Sequence, residues 1–178
     1  MFLGLDISTS FVGATVLDEE GDPILCEAWD LRKIKNYFRK AETIKEHLTG
    51  LNKKIPQQIQ RVYIEQSLQA FRSGFSSANT LMTLAKFNGT VSWLCHDLYG
   101  VEIEYLNASR ARSMCGIKVA RGQKAKEVIL NYLLDTEPSF SVEYTIYDNP
   151  KPGSYDKADS FIIAKAGYKH WKQESSKS

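Results

Sequence analysis

The segment FLGLDISTSFVGATVL, residues 2–17, carries the strongest fold signal in this sequence. Two apolar runs flank a polar turn at residues 8–10, which predicts two antiparallel strands with Asp6 at the end of the first. Residues 18–23 have the composition of a hairpin turn, and residues 24–29 predict a third strand. The amino-terminal part of the chain therefore predicts three consecutive antiparallel strands.

The rest of the chain predicts helices and strands in alternation. Apolar residues recur at spacings of three and four in stretches that predict helices over 37–51, 76–99, 121–134 and 155–170. Further elements are a strand at 62–64, a strand at 101–105, a short helix after Asn107 and a long loop over 137–154. This order predicts an α/β fold with a mixed sheet flanked by helices, as one domain over 1–172 with a frayed tail at 173–178.

Composition restricts the class of protein. The 178 residues are 43% hydrophobic and 25% charged, which suits a single domain with its own core. The net charge of +2 is too small to indicate nucleic-acid binding without a local cluster. Three widely spaced cysteines favour free thiols in a reducing compartment. The apolar run over residues 1–5 is too short for a signal peptide and lacks a basic segment, so we expect no secretion, and no apolar run has membrane-spanning length. We expect a cytoplasmic protein that makes no use of a membrane.

Four carboxylates form the main candidate site. Asp6 and Glu65 end predicted strands, and Asp156 and Asp159 lie three residues apart on one face of the last helix. Ligands gather at the carboxyl ends of strands in such sheets, and four clustered carboxylates repel one another unless a cation compensates them. Oxygen-only ligands favour Mg²⁺ or Mn²⁺ over Zn²⁺. Two such ions, roughly 3.5–4 Å apart, would suit in-line displacement at a phosphodiester.

Each of these acids also has an ordinary structural interpretation. Asp6 would fit as a cap for the turn with Ser8, and Glu65 as an exposed acid at a strand end. Asp156 would fit as the N-cap of the last helix, and Asp159 as a solvated acid, which is the weaker alternative because Asp159 lies deeper in that helix and precedes an apolar run. The residues alone leave these alternatives open.

Three segments carry a family resemblance. Residues 3–10, 63–66 and 156–160 resemble the RuvC Holliday junction resolvases of the RNase H-like superfamily, although the family's Asp-Pro-Gly-Ser turn is here Asp6-Ile7-Ser8-Thr9. The resemblance implies an RNase H-like mixed sheet and Mg²⁺-dependent, paired cleavage of four-way DNA junctions. The acids that it implies as metal ligands and catalytic residues are Asp6, Glu65, Asp156 and Asp159.

Basic and aromatic residues predict how DNA would be held. A basic cluster between residues 110 and 126 would neutralise phosphates, although a solvated helix face also fits it. The candidates within it are Arg112, Lys118, Arg121 and Lys124, of which Arg112 and Lys124 best match the positions of junction contacts in the RuvC resemblance. The loop after Glu65 contains Phe71 and Arg72, which suit stacking on an unpaired base. Burial of the loop phenylalanines in the core is the competing interpretation.

The predicted helix over 76–99 is apolar on more than one face and therefore needs two covering surfaces. A twofold partner would supply the second surface, and in the resemblance this helix lies at the dimer interface. We expect a homodimer, whose two sites would cut a four-way junction symmetrically.

Other functions remain open at this point. The strand, Asp6 and the Ser/Thr-rich turn also resemble the start of actin-type and sugar-kinase ATPases, but this chain is too short for their duplicated domain. A non-catalytic DNA-binding relative would not need all four acids. A nuclease of the same type that acts on flaps, replication forks or structured RNA is the strongest alternative.

Overall fold

In the computed structural model, which describes residues 1–66 and 78–177, a five-stranded mixed sheet forms the centre of the fold. Strands β1 (Phe2–Ile7), β2 (Phe11–Leu17) and β3 (Pro23–Asp30) pair antiparallel. Strand β4 (Arg61–Glu65) pairs parallel with β1, and β5 (Ile103–Leu106) pairs parallel with β4. The sheet order is β3-β2-β1-β4-β5, which confirms the predicted mixed α/β architecture.

Helices cover both faces of the sheet. On one face, α1 (Tyr37–Lys54) and α2 (Ala78–Tyr99) pack on a core that includes Leu3, Leu5 and Ile64. On the other face, α3 (Ala108–Met114), α4 (Ala125–Thr136) and α5 (Ser154–Ser175) pack on a second core around Tyr63 and Phe161. The central strands β1, β2 and β4 are therefore buried on both faces, whereas the outer strands β3 and β5 are only partly buried.

Local chemistry accounts for the helix starts. The Asn36 side chain accepts a hydrogen bond from the Arg39 amide at 3.1 Å and caps α1. The Asn107 side chain accepts from the Ser109 amide at 2.9 Å and caps α3. Gly153, with φ of 92°, precedes α5 in a left-handed conformation that glycine adopts readily.

Three predicted boundaries are wrong. Helix α4 begins at Ala125 rather than at residue 121, because Gly122 has φ of 89° and breaks the helical path. Strand β5 begins at Ile103 rather than at residue 101, after Gly100 with φ of 67°. Helix α5 continues to Ser175, so residues 173–175, which were expected in a frayed tail, are helical. The predicted loop over 137–154 does lack helices and strands up to the start of α5, apart from one isolated bridge between Tyr144 and Pro150.

None of the helices in the described part of the chain combines the length and apolar character needed to cross a bilayer.

Candidate metal centre

Asp6 and Glu65 lie side by side at the carboxyl ends of adjacent parallel strands. Leu5 of β1 is in register with Ile64 of β4, so the next residue along each strand is an acid. Leu5 and Ile64 both belong to the core beneath α1 and α2. Because side chains alternate along a strand, Asp6 and Glu65 both point to the opposite face, toward α5.

Ser8 closes the turn that follows Asp6. Its hydroxyl oxygen accepts hydrogen bonds from the amides of Ser10 at 3.2 Å and Phe11 at 3.0 Å, and its own hydroxyl donates to the Phe11 carbonyl at 2.9 Å. The turn is therefore held by the serine itself, and the alternative interpretation of Asp6 as a turn cap loses its basis.

Close packing of α5 on the sheet brings in the third acid. Gly13 of β2 lies against the Asp156 carbonyl, and a Cβ on Gly13 would also come 3.0 Å from the Cβ of Ser160. The hydroxyls of Ser160 and Thr15 form a buried hydrogen bond of 2.9 Å between α5 and β2. These contacts hold Asp159, the residue before Ser160, over the strand ends.

Three of the four predicted acids come together. Carboxylate oxygens of Asp6, Glu65 and Asp159 lie within 4.8 Å of one another. Asp156 stands one turn earlier in α5 and is not a member of this close group, although its charge raises the pKa of Asp6. The N-cap of α5 is Gly153, so the alternative role of Asp156 as the helix cap is wrong.

Burial and mutual repulsion raise the pKa of each clustered carboxyl. Burial raises the pKa of Asp6 well above its usual value, and the charges of Glu65, Asp159 and Asp156 raise it further. Burial, followed by the charge of Asp159, raises the pKa of Glu65 to about 7. Burial likewise raises the pKa of Asp159 to about 6, although Lys126 opposes the shift. Ionisation of this group therefore calls for a compensating cation.

The donor set fits a hard divalent cation. The three groups offer only carboxylate oxygens, which Mg²⁺ and Mn²⁺ prefer, and they include none of the imidazole or thiolate ligands typical of Zn²⁺. A bound dication would also relieve the repulsion that raises the three pKa values. The coarse prediction of a metal-dependent acidic site is thus consistent with the observed geometry.

Lys126 is the site residue that sequence reasoning missed. Its Nζ lies 3.7 Å from Oδ2 of Asp159, across the contact between α4 and α5. The sequence places Lys126 within the basic cluster, but nothing in that cluster distinguishes it from its neighbours. The position of Lys126 beside Asp159 could not be predicted from the sequence, because it depends on the packing of the first turn of α4 beside the first turns of α5.

Solved structures of other proteins share this architecture, although comparisons of sequence find no relative. Neither a protein family model nor a curated protein sequence matches this chain. Among solved structures, RuvC from Thermus thermophilus in complex with a Holliday junction substrate matches with a TM-score of 0.66 at 14% identity, over 97% of this chain and 94% of that one. The chain has the RuvC fold.

Two other junction resolvases share the RuvC fold with this chain. The yeast mitochondrial Holliday junction resolvase Ydc2 matches with a TM-score of 0.62 at 14% identity, over 98% of this chain and 80% of that one. The fowlpox virus resolvase, solved with Holliday junction DNA, matches with a TM-score of 0.50 at 15% identity, over 96% of this chain and 97% of that one. The resemblance carried by residues 3–10, 63–66 and 156–160 predicted this fold, and the prediction of the fold is confirmed.

Four of the six predicted DNA-binding residues lie in the part of the chain that the structure describes. Arg112 lies in α3, and its charge lowers the pKa of both Glu65 and Asp159, which places it near the acids. Lys118, Arg121 and Lys124 are exposed in the connection between α3 and α4. Phe71 and Arg72 lie outside the described residues.

Proposed function

We propose that this chain is a Mg²⁺-dependent, structure-selective endonuclease that resolves four-way DNA junctions. The observation that carries the proposal is the approach of the Asp6, Glu65 and Asp159 carboxylates to within 4.8 Å at the strand ends of a RuvC fold. Structures of two proteins with this fold contain Holliday junction DNA, the T. thermophilus and fowlpox virus enzymes. The proposed activity is paired, symmetric hydrolysis of phosphodiesters.

The proposed ligands divide into an inner and an outer set. Asp6, Glu65 and Asp159 would hold the metal with their carboxylate oxygens, and Asp156, one turn away in α5, would complete the set. Two strands and a helix packed on them hold the inner three, so the groups are positioned before substrate binds. When bound, two divalent ions supply activation of the attacking water and stabilisation of the leaving oxygen.

The proposed DNA contacts come from basic residues of α3 and of the connection between α3 and α4. Arg112, Lys118, Arg121 and Lys124 would neutralise backbone phosphates, and their contribution would weaken with salt. Phe71 and Arg72 stay proposed as contacts to unpaired bases near the crossover.

We also propose that the active form is a homodimer that uses the outer face of α2. Apolar side chains are exposed there and on the adjoining start of α1, with Phe38 73%, Met82 59% and Trp93 59% accessible. A second copy would bury them, and its site would supply the second of two symmetric cuts.

Asp6→Asn and Glu65→Gln test the nuclease. Each should lower Mg²⁺-dependent cleavage of a labelled four-way junction by at least about 10²-fold, the scale of losing one strong electrostatic group from a catalytic site. Binding of the junction should be retained or strengthened, because removing negative charge beside phosphate weakens no attraction. Gel-based cleavage and binding assays measure the two effects separately.

Asp135→Asn is the matched control, since Asp135 is an exposed acid of α4 and the same chemical change there should leave cleavage unaltered. Parallel assays on forks, flaps, linear duplex and structured RNA decide the substrate. Loss of junction binding in the Asp6 and Glu65 variants would mean that the acids are structural, and equal cleavage of all substrates would contradict junction selectivity.

A further inference from the structure

Lys126 occupies an unusual position for a surface lysine. Its side chain is 60% accessible, yet its ammonium group reaches an Asp159 carboxylate that is only 12% accessible. The lysine is the second residue of α4, and Asp159 lies in the second turn of α5, so the ion pair bridges two helices. The flexible four-carbon stem lets the charged end reach the buried acids from the surface.

The charge of Lys126 acts on the whole acidic group. It opposes the upward pKa shifts of Asp6, Glu65 and Asp159, and the four surrounding acids in turn raise the pKa of Lys126 itself. The ammonium therefore already supplies part of the positive charge that the three carboxylates require. A divalent cation that enters the same group meets this charge as a repulsive neighbour.

The neighbouring Lys124 behaves differently. Its Nζ pairs with Oε1 of Glu127 at 2.9 Å, within the first turn of α4, and its side chain is 79% accessible. The two lysines are two positions apart and carry the same charge, but only Lys126 is paired with a metal-site acid. The chain thus offers its own control for the effect of charge on this helix.

We propose that Lys126 is a built-in counter-ion of the metal site, which stabilises the acids in the metal-free protein and competes with the divalent cation for them. The proposal rests on the proposed function, because it assumes that these acids bind the cation. On metal binding, the ammonium leaves Asp159 and turns toward solvent along its flexible stem. Lys126 therefore sets the metal concentration at which the site fills.

The test compares Lys126→Gln, Lys126→Arg and Lys124→Gln in the full chain without DNA. Lysine, glutamine and arginine have similar helix propensities, so differences among these proteins report on charge rather than on helix formation. Titration with Mn²⁺, followed by electron paramagnetic resonance of the free ion, should give about tenfold tighter binding for Lys126→Gln than for the wild type. Lys126→Arg keeps the charge and should bind Mn²⁺ like the wild type, as should Lys124→Gln.

Thermal unfolding in EDTA gives a second readout that needs no bound metal. Lys126→Gln should unfold about 2 °C or more below the wild type, because the acids lose their counter-ion, whereas Lys124→Gln and Lys126→Arg should not. Saturating Mn²⁺ should narrow that difference. If Lys126→Gln bound Mn²⁺ no more tightly than the wild type, the counter-ion proposal would be overturned and the proposed nuclease function would be unaffected. Absence of Mn²⁺ binding by the wild type would overturn both.

Discussion

At the scale of single residues, the acids combine burial with like charge. Glu65 and Asp159 ionise less readily than ordinary carboxyls because burial and their charged neighbours disfavour the anionic form. In the metal-free protein the folded state therefore retains protons that the unfolded chain has already released. Folding stability and metal occupancy are linked through these same groups.

The linkage predicts an unusual pH dependence in EDTA. The pKa of Glu65 rises from 4.5 to about 7 and that of Asp159 from 3.8 to about 6 on folding. For raised carboxyls the stabilising contribution is complete below the unfolded pKa, and it is lost as pH rises through the folded pKa, here from about 4 to about 7. Glu65→Gln lacks the ionisable group and should not lose this contribution. In urea unfolding, the free energy of unfolding of the variant relative to that of the wild type should therefore rise by roughly 1–3 kcal/mol between about pH 4 and about pH 8.

Saturating Mg²⁺ should remove most of this difference, because it stabilises the ionised wild type and binds less well to the variant, which has lost one proposed ligand. Glu42→Gln, at an exposed acid of α1 far along the chain from the cluster, controls for loss of a carboxyl in general. Parallel stability profiles for the wild type and Glu65→Gln would contradict the raised pKa of Glu65.

At the scale of elements, the close packing of α5 on β1 and β2 positions the acids of the site. Gly4 of β1 lies against Ala164, whose Cβ would be 2.6 Å from a Cβ on the glycine, and Gly13 of β2 lies against the Asp156 carbonyl. The absence of side chains at these two positions lets the helix approach the strands closely. Because Gly13 is also the register partner of Asp6, the same contact connects two parts of the metal site.

Gly13→Ala should therefore lower stability and weaken metal binding together. The new Cβ would overlap the Asp156 carbonyl, which belongs to the backbone and cannot rotate away, so α5 must shift. We expect a loss of about 2 kcal/mol or more in urea unfolding and weaker Mn²⁺ binding.

Gly50→Ala provides the opposite control. Gly50 lies inside α1 with no atom within 4 Å of the added Cβ, so the substitution should stabilise the protein by about 0.5–1 kcal/mol through helix propensity. If Gly13→Ala proved as mild as Gly50→Ala, close packing of α5 would not be what holds the site.

At the scale of the whole molecule, large apolar side chains are exposed between the start of α1 and α2. A groove of about 740 Å³ lies between them, and its lining includes Tyr37, Phe38 and Trp93. Two of these side chains, Phe38 and Trp93, are more than half exposed. Apolar surface of this kind is typical of a protein interface.

Trp93→Glu tests the proposed dimer. In a twofold interface each new glutamate would be buried near the same glutamate of the second copy, and the two negative charges would repel each other. The substitution should therefore convert a dimer to a monomer, as measured by light scattering. The folded protomer should persist, because Trp93 is 59% accessible within one chain. On a mobile four-way junction, paired symmetric nicks should give way to rare single nicks.

Tyr147→Glu is the matched control, since Tyr147 is an exposed aromatic in the loop before α5, 79% accessible, and lies outside the groove. It should leave the dimer intact. A wild-type protein that is monomeric at micromolar concentration, with or without junction DNA, would exclude the proposed interface.

Local patterning determined most of the architecture. Three properties of short segments carried the prediction: the two apolar runs around a polar turn over residues 2–17, the helical spacing over 37–51, and the strand-end positions of Asp6 and Glu65. They were sufficient to predict the mixed sheet, its helices and two neighbouring acids, because strand direction and side-chain alternation follow from the chain itself. Glycine conformation is the local signal that they did not capture, as the late start of α4 after Gly122 demonstrates.

Tertiary packing alone decided which charged groups meet. The sequence makes Asp156 and Asp159 equivalent on one helical face, but the depth at which α5 sits on Gly13 brings only Asp159 to the inner carboxylates. It also places Lys124 and Lys126 in one basic cluster, and of these two lysines the contact between α4 and α5 pairs only Lys126 with Asp159. The physical reason is that helix depth and rotation are set by side chains distant in sequence, and a shift of a few ångströms decides whether two charges interact strongly.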